Sequence, residues 1–533
     1  MQTDYRRRFP LSALSLLACL CGTGAAADEP LSAIDWLSKS VAVPAAAPSL
    51  GPVPSSTPNP APKTDEPAVT KGALPGAVTV TVLGAPSLDG VGLLPAARTG
   101  LPRALWGLSK TEDIALRLTR EQTDTLPALQ GLLITLLLAE ADPPVDSGGR
   151  GLLLLARIDK LLSMGALDQA AALTEIAGNA SPELFRRRFD IALLTGQEDL
   201  ACAEMQSAPH LAPTLTARIF CLARAGDWNA AALTLESAQA LQQVPAEQEA
   251  LLERFLDPEL ADGAEPLPPP ALPTPLIWRM YEAIGEPLAT AHLPLAFAHA
   301  ELRPQSGWKA QIEAAERLAR AGAITPNLLL GIYTDRQPAA SGGVWDRVAA
   351  FQDFDAAVTS GDREAVLRTL EPAWDAMRAV ELENAFAALF GERLAAMELP
   401  DAQGVLALRM ALLSPQYEHA ARSHLANGPA DNPQEAFLLG LAQGNIQGLI
   451  PPDSMARAVA PAFLTPVTTD EAQLLLAEHR IGEALMLAID GVARGVQGDP
   501  RGVAEGLSLL RKLGLEDIAR RTALELLLLE RRG

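Results

Sequence analysis

A glycine-centred bend recurs along this chain at a nearly fixed interval, and few folds accommodate such a bend. Met164-Gly165-Ala166-Leu167-Asp168, Thr195-Gly196-Gln197-Glu198-Asp199 and Ala225-Gly226-Asp227-Trp228-Asn229 place their glycines 31 and 30 residues apart. Each closes one apolar run of helical period and opens another. Glycine reaches the left-handed backbone angles that end a helix without a steric cost, so each marks the bend of a helical hairpin. One hairpin per repeat of this length is the signature of a helical repeat array. The expectation is an all-α fold, an α-solenoid of helical hairpins.

Composition agrees with that expectation. The chain has 533 residues and is 48% hydrophobic with only 4% aromatic residues. Its apolar mass is therefore mostly Ala, Leu and Val, whose small side chains let helices approach closely. The length exceeds one compact core and predicts more than one unit. A net charge of −21 excludes nucleic acid as a partner, because phosphate binding needs a basic footprint. It equally argues against electrostatic docking on anionic lipid.

The first 27 residues read as a leader. Arg6, Arg7 and Arg8 form a positive start, Leu11 to Leu20 an apolar stretch, and Ala25-Ala26-Ala27 a small-residue cleavage site after Ala27. This is the pattern of a Sec-type signal peptide. Two variants stay open: a lipoprotein box at Leu16-Leu17-Ala18-Cys19, which would anchor a lipid on Cys19, and a twin-arginine signal, for which Pro10 stands where an apolar residue is usual. No later stretch has the roughly 20 apolar residues of a membrane span. The expected compartment is a bacterial periplasm. Beyond the leader only Cys202 and Cys221 remain. In an oxidising compartment two such cysteines on neighbouring antiparallel helices are expected to form a disulfide.

Along the rest of the chain, residues 28–108 read as a Pro/Ala-rich, largely disordered segment. It opens with a short apolar patch, Leu31, Ile34, Trp36 and Leu37, and proline recurs from Pro44 to Pro67. Such a stretch behaves as an extended tether. The patch is a candidate docking piece for a partner groove. Val78 to Val82 alternates like a short strand. Leu93, Leu94, Leu101, Leu105 and Trp106 are placed to lace onto the helical body as a cap. From Ser109, which has capping-box spacing to Glu112, an N-terminal helical domain runs over 109–256. Helices are expected over Leu126–Glu140, Gly151–Met164, Ala166–Ile176, Pro182–Leu194, Glu198–Ser207, Thr214–Ala225, Asn229–Leu241 and Pro245–Phe255, each with one apolar stripe. A Pro-rich linker is expected at 257–275 and a second helical domain at 276–533, where Gly322, Gly361, Gly444, Gly482 and Gly514 follow apolar runs.

The run Leu222-Ala223-Arg224-Ala225-Gly226-Asp227-Trp228-Asn229-Ala230-Ala231 resembles the hairpin turn of a tetratricopeptide-like repeat. The likeness covers about 165–241. The family's aromatic positions are mostly missing and the spacing is nearer 30 than 34 residues, so the resemblance implies a superhelix without implying its peptide-binding carboxylate clamp.

No residues converge on a reaction. Asp146-Ser147-Gly148-Gly149 echoes a protease nucleophile loop, but it stands before an apolar helix without a placed His and Asp; helix capping by Asp146 or Ser147 is expected. Ser341-Gly342-Gly343 lacks the Lys-Ser/Thr of a phosphate loop. His292 and His299 flank Pro294, and His419 and His424 are five apart, so neither pair has the spacing of metal ligands on one helical face. Exported superhelices also form the non-catalytic part of soluble lytic transglycosylases, but a Glu-Ser pair followed by Gly-Leu-Met-Gln is not found. No enzyme activity, metal or cofactor is expected. The expected function is an exported scaffold or adaptor that binds protein partners in a bacterial envelope assembly. The alternatives are an accessory or degenerate protein of peptidoglycan metabolism, or a periplasmic protein of the flagellar motor, whose pairing of a proline-rich stretch with a helical body this chain resembles in composition.

Overall fold

The architecture comes from a computed structural model that describes residues 87–529, apart from 179–180, 262 and 398. Those residues form 25 α-helices. No strand occurs among them, only one isolated parallel bridge between Leu94 and Ala139. The expected pieces at Val78–Val82, Ala27, Cys19 and Leu31–Leu37 fall outside the described residues.

Local chemistry explains where the helices start. Ser181, Thr214, Asp227, Thr274, Thr325, Asn432, Asp453 and Thr469 each accept a hydrogen bond from the backbone N–H three residues on. A side-chain oxygen there satisfies one of the donors that every helix start leaves over. Pro127, Pro182, Pro275, Pro326, Pro433 and Pro500 stand in the first turn of their helices, where a missing N–H costs nothing. Many of the prolines outside the tether thus open helices instead of breaking them. The three repeating glycines end helices at φ 69°, 81° and 83°. Gly482 behaves differently. It lies inside the helix Ile481–Val496, and a Cβ there would come within 2.2 Å of the Trp106 ring, so it is small because an indole lies across it.

Capping at Ser109 also departs from expectation. The helix starts at Thr111, and its cap comes from across the fold: Asp146 Oδ1 accepts from the Thr111 N–H at 3.0 Å and its hydroxyl at 2.6 Å. Asp146 therefore serves this helix. The helix after it, Leu152–Ser163, opens on Gly151 with no side-chain cap.

Many consecutive helices pack against one another, but packing is not confined to sequence neighbours. An open solenoid keeps each repeat against its neighbours alone. Here the helix Pro127–Leu138 meets the helix Glu516–Leu528, where the Ala128 N–H donates to Glu525 Oε2 at 2.9 Å. Asn384 donates to the other oxygen of the same carboxylate at 2.6 Å. The segment before Ser109 completes the closure. Leu105 and Trp106 are buried, the Gly482 N–H donates to Leu105 O at 2.9 Å, and the Leu108 N–H donates to Glu478 O at 3.2 Å. The N-terminal and C-terminal parts of the described fold are thereby tied together.

Two buried clusters result. The larger joins Leu101–Leu194 directly to Trp278–Leu529. The smaller runs from Phe185 to Tyr281 and stands as a satellite. The division at 257–275 therefore does not separate two cores. That Pro-rich segment is also no free linker. The Leu267 N–H donates to Glu286 Oε2 at 2.8 Å, Tyr281 OH donates to Pro268 O at 2.8 Å, and Arg254 donates to Glu265 O at 2.7 Å. Its amide-poor backbone leaves carbonyls free, and neighbouring side chains use them.

Candidate functional site

The satellite is the part of the fold most unlike a plain packed bundle. Its helices Glu198–Ser207 and Leu215–Arg224 carry Cys202 and Cys221 on facing sides. Both residues are buried and joined as a disulfide, with Cα atoms 5.0 Å apart across 19 residues of sequence. Phe220 stacks on Phe255 with ring centroids 5.4 Å apart. Cross-linking a loop of this length stabilises by about 3 kcal/mol. Replacing both cysteines by serine is thus expected to raise local opening of 198–281 about a hundredfold. Limited proteolysis in native buffer reads this directly. Cleavage confined to that span and enhanced to that degree is expected; an unchanged cleavage rate would show that the bond carries no stability.

A charged seam fastens the satellite to the main body. Glu198 is buried and accepts from Arg279 Nη2 at 2.6 Å, with Arg224 3.4 Å away. Arg279 also pairs with Glu282, which accepts from Arg303 at 2.6 Å. Burial alone would raise the Glu282 carboxyl, but Arg303 and Arg279 hold it below its ordinary range. Burial would likewise lower Arg279, and Glu198 and Glu282 hold it above. Arg303 lies 5.3 Å from the Trp278 ring centroid.

Outward, the satellite shows apolar side chains to solvent. Leu200, Trp228, Leu233, Leu241, Leu260 and Leu272 are all more than half exposed. A cavity of about 620 Å³ opens between the helix Ala246–Leu256 and the Pro-rich segment, with Leu251, Ile277, Tyr281 and Pro268 to Pro273 in its walls. Burial raises the Tyr281 hydroxyl above its ordinary range, and the nearby Glu286 adds to the effect. Tyr281 therefore stays neutral and keeps its bond to Pro268 O. Concave, mostly apolar and edged by a few fixed polar groups, this cavity has the make-up of a binding site.

The remaining sequence candidates are structural. His299 is buried with Nε2 2.7 Å from Gly165 O, and burial lowers its pKa. His424 pairs with Glu435 at 2.8 Å, on a groove of about 630 Å³ bordered by Asp401, Asp431 and Met397. The Gly342 N–H donates to Asp346 Oδ1 at 2.9 Å, closing an ordinary loop-to-helix turn. Among the described residues no group of three or more His, Cys, Asp or Glu side chains has the arrangement of a metal site. No helix among them is long and apolar enough to cross a membrane. The 257–275 cavity left no mark in the sequence reading, because a proline run carries no sign of what packs beside it.

No family model matches the chain, and neither a curated protein nor a solved structure does.

Proposed function

We propose that this chain is an exported, non-catalytic helical scaffold that holds a protein partner in a bacterial envelope assembly, built from tetratricopeptide-like hairpins. The observation that carries the reading is the satellite: a separately cored, disulfide-linked set of helices that leaves Trp228, Leu233 and Leu241 exposed and also carries an apolar cavity. Large aromatic and aliphatic side chains held out on rigid helices are the usual anchors of protein interfaces. The leader pattern ending at Ala27 and the disulfide support an oxidising compartment. The Leu31–Leu37 patch would add a second contact.

Cross-linked co-purification from the native cell tests this. A discrete envelope protein is expected with the wild-type chain, reduced about tenfold or more by Trp228→Ser with Leu233→Ser. Both residues are exposed, so the pair is expected to leave the thermal midpoint unchanged. An unchanged partner list for that variant would overturn the satellite as the docking face. Specific sedimentation with purified cell wall, independent of other proteins, would turn the reading to peptidoglycan metabolism.

A further inference from the structure

Two helices from opposite ends of the chain, one near each end of the described residues, enclose a polar cleft. The helix Thr111–Arg120 faces the helix Ile481–Val496 across about 390 Å³ of open space. Its walls carry Arg117, Arg120, Glu121, Arg480, Glu483 and Asp490, and Leu116 is its one apolar wall. Most of these charges are already used. Arg480 donates to Glu483 through Nε and Nη2, both at 2.8 Å, and to Glu478 through Nη1 at 2.9 Å.

Two groups remain unsatisfied. Glu121 is only 5% exposed, and neither of its carboxyl oxygens accepts a hydrogen bond from a donor of the chain. Buried polar groups without partners are rare and costly. Lys160, the nearest amine, is committed to the backbone: its Nζ donates to Glu121 O at 2.6 Å. On the same cleft the buried Nε of Arg117 has no acceptor, while its Nη2 lies 3.7 Å from Asp490. Arg120 is exposed and makes no ion pair among the described residues. One cleft thus holds a buried carboxyl that no N–H or hydroxyl of the chain serves, met only by the Asp490 carboxyl, and a buried donor without an acceptor.

We propose that this cleft binds a small zwitterion, a free amino acid or dipeptide, whose ammonium is taken by Glu121 and Asp490 and whose carboxylate is taken by Arg117 and Arg120. A purely cationic ligand would meet the three arginines of the walls, and a purely anionic one would meet the carboxylates. Only a ligand carrying both signs satisfies both unpaired groups, and charge-assisted hydrogen bonds of this kind are the strong ones. The scarcity of apolar wall argues for short side chains. Without ligand, the side chain that reaches Glu121 is Asp490, and two carboxyls hydrogen-bond only by sharing a proton. An incoming ammonium replaces that proton, which leaves to solvent. Because the ligand would bridge the two helices, it would also tighten closure of the fold.

Isothermal titration of the full chain at pH 7 with L-alanyl-L-alanine, its N-acetylated form and its C-amidated form tests the proposal. Saturable one-to-one binding of the free dipeptide is expected, with each blocked form weaker by about tenfold or more. The heat is expected to vary with the ionisation enthalpy of the buffer, reporting proton release. Arg120→Ala, an exposed change that leaves the fold intact, is expected to weaken binding about tenfold. Glu121→Gln is expected to weaken it similarly and to abolish the buffer dependence. Absence of saturable heat up to roughly 10 mM, equal binding of the blocked forms, or unchanged affinity in Arg120→Ala would overturn the proposal.

Discussion

Replacing Arg157 by alanine is expected to destabilise the chain by about 4 kcal/mol, read as a fall in the urea midpoint at unchanged slope. The guanidinium is 2% exposed. Its Nε donates to Leu137 O at 2.7 Å, Nη1 to Val91 O at 2.6 Å and Nη2 to Ala139 O at 3.0 Å. These are the carbonyls that the C-terminal turn of the helix Pro127–Leu138 and the adjoining strap leave unused. Arg157 therefore acts as an internal cap, fixing the segment around Val91 to the helix end and to its own helix, Leu152–Ser163. Burial lowers its pKa to about 10, still well above neutrality, so it remains charged. The nearby Asp89 is buried too and accepts from the Leu154 N–H at 2.9 Å; burial raises its carboxyl. Alanine would strand three carbonyls, remove the charge opposite Asp89 and leave a cavity, each a recognised source of large losses. Amide exchange of Leu93 and Leu94, which donate to Leu138 O at 2.9 and 3.0 Å, is expected to rise more than that of helices remote from the strap. A loss below about 1 kcal/mol would mean that water replaces the guanidinium at these carbonyls.

That strap shows what a sequence of this kind discloses and what it withholds. Helices were legible wherever their determinants are local. Ser181-Pro182 supplies a cap and a first-turn proline, and the helix runs from Pro182 to Thr195; Glu198–Ser207 was readable to the residue from an apolar stripe after a glycine bend. Burial of Leu101, Leu105 and Trp106 followed from the apolar side chains gathered there, just ahead of the first long helix. Closure of the fold was not legible. Ala128 and Glu525 are 397 residues apart, and a contact at that separation leaves no pattern in either helix. The same reason hides the Asp146 cap on Thr111, since capping-box spacing at Ser109 looks equally good until the distant competitor is in place. Gly482 was indistinguishable from a bend because a glycine needed for space and one needed for a turn are the same letter. Proline density at 257–275 spoke for a linker because composition reports what a backbone cannot do, and says nothing of Tyr281 and Glu286 waiting to hold it. Glu121 was one carboxylate among many in an acidic chain, and only packing sets it apart.

Glu121 and Asp190 together are expected to make the fold lose stability as pH rises from about 4.5 to about 8. Burial raises the Glu121 carboxyl to about 8; Asp490 raises it further, while Arg117 and Lys160 oppose the shift. Burial likewise lifts Asp190 to about 7 against the pull of Arg186 and Arg187, with Asp159 adding to the rise. In both cases the folded state holds a proton that the unfolded chain releases near its ordinary carboxyl pKa. Stability from each group is therefore fully present below that ordinary value and is lost as pH climbs through the raised one. For Glu121 the span from 4.5 to about 8 corresponds to an upper bound of roughly 4 to 5 kcal/mol at about 1.4 kcal/mol per unit. Glu121→Gln keeps the shape and a donor for Asp490 while removing the titration. Its urea midpoint is expected to match wild type near pH 4.5 and to exceed it at pH 8.5 by the equivalent of about 3 kcal/mol. Asp190→Asn isolates the second group in the same way, with its divergence centred about one unit lower. Carboxylates remote from each site titrate identically in each pair of proteins, so the difference curves belong to these two sites and the carboxyls that face them, Asp490 and Asp159. Parallel curves for wild type and Glu121→Gln would show that Glu121 is ionised in the folded chain, with Arg117 and Lys160 outweighing burial.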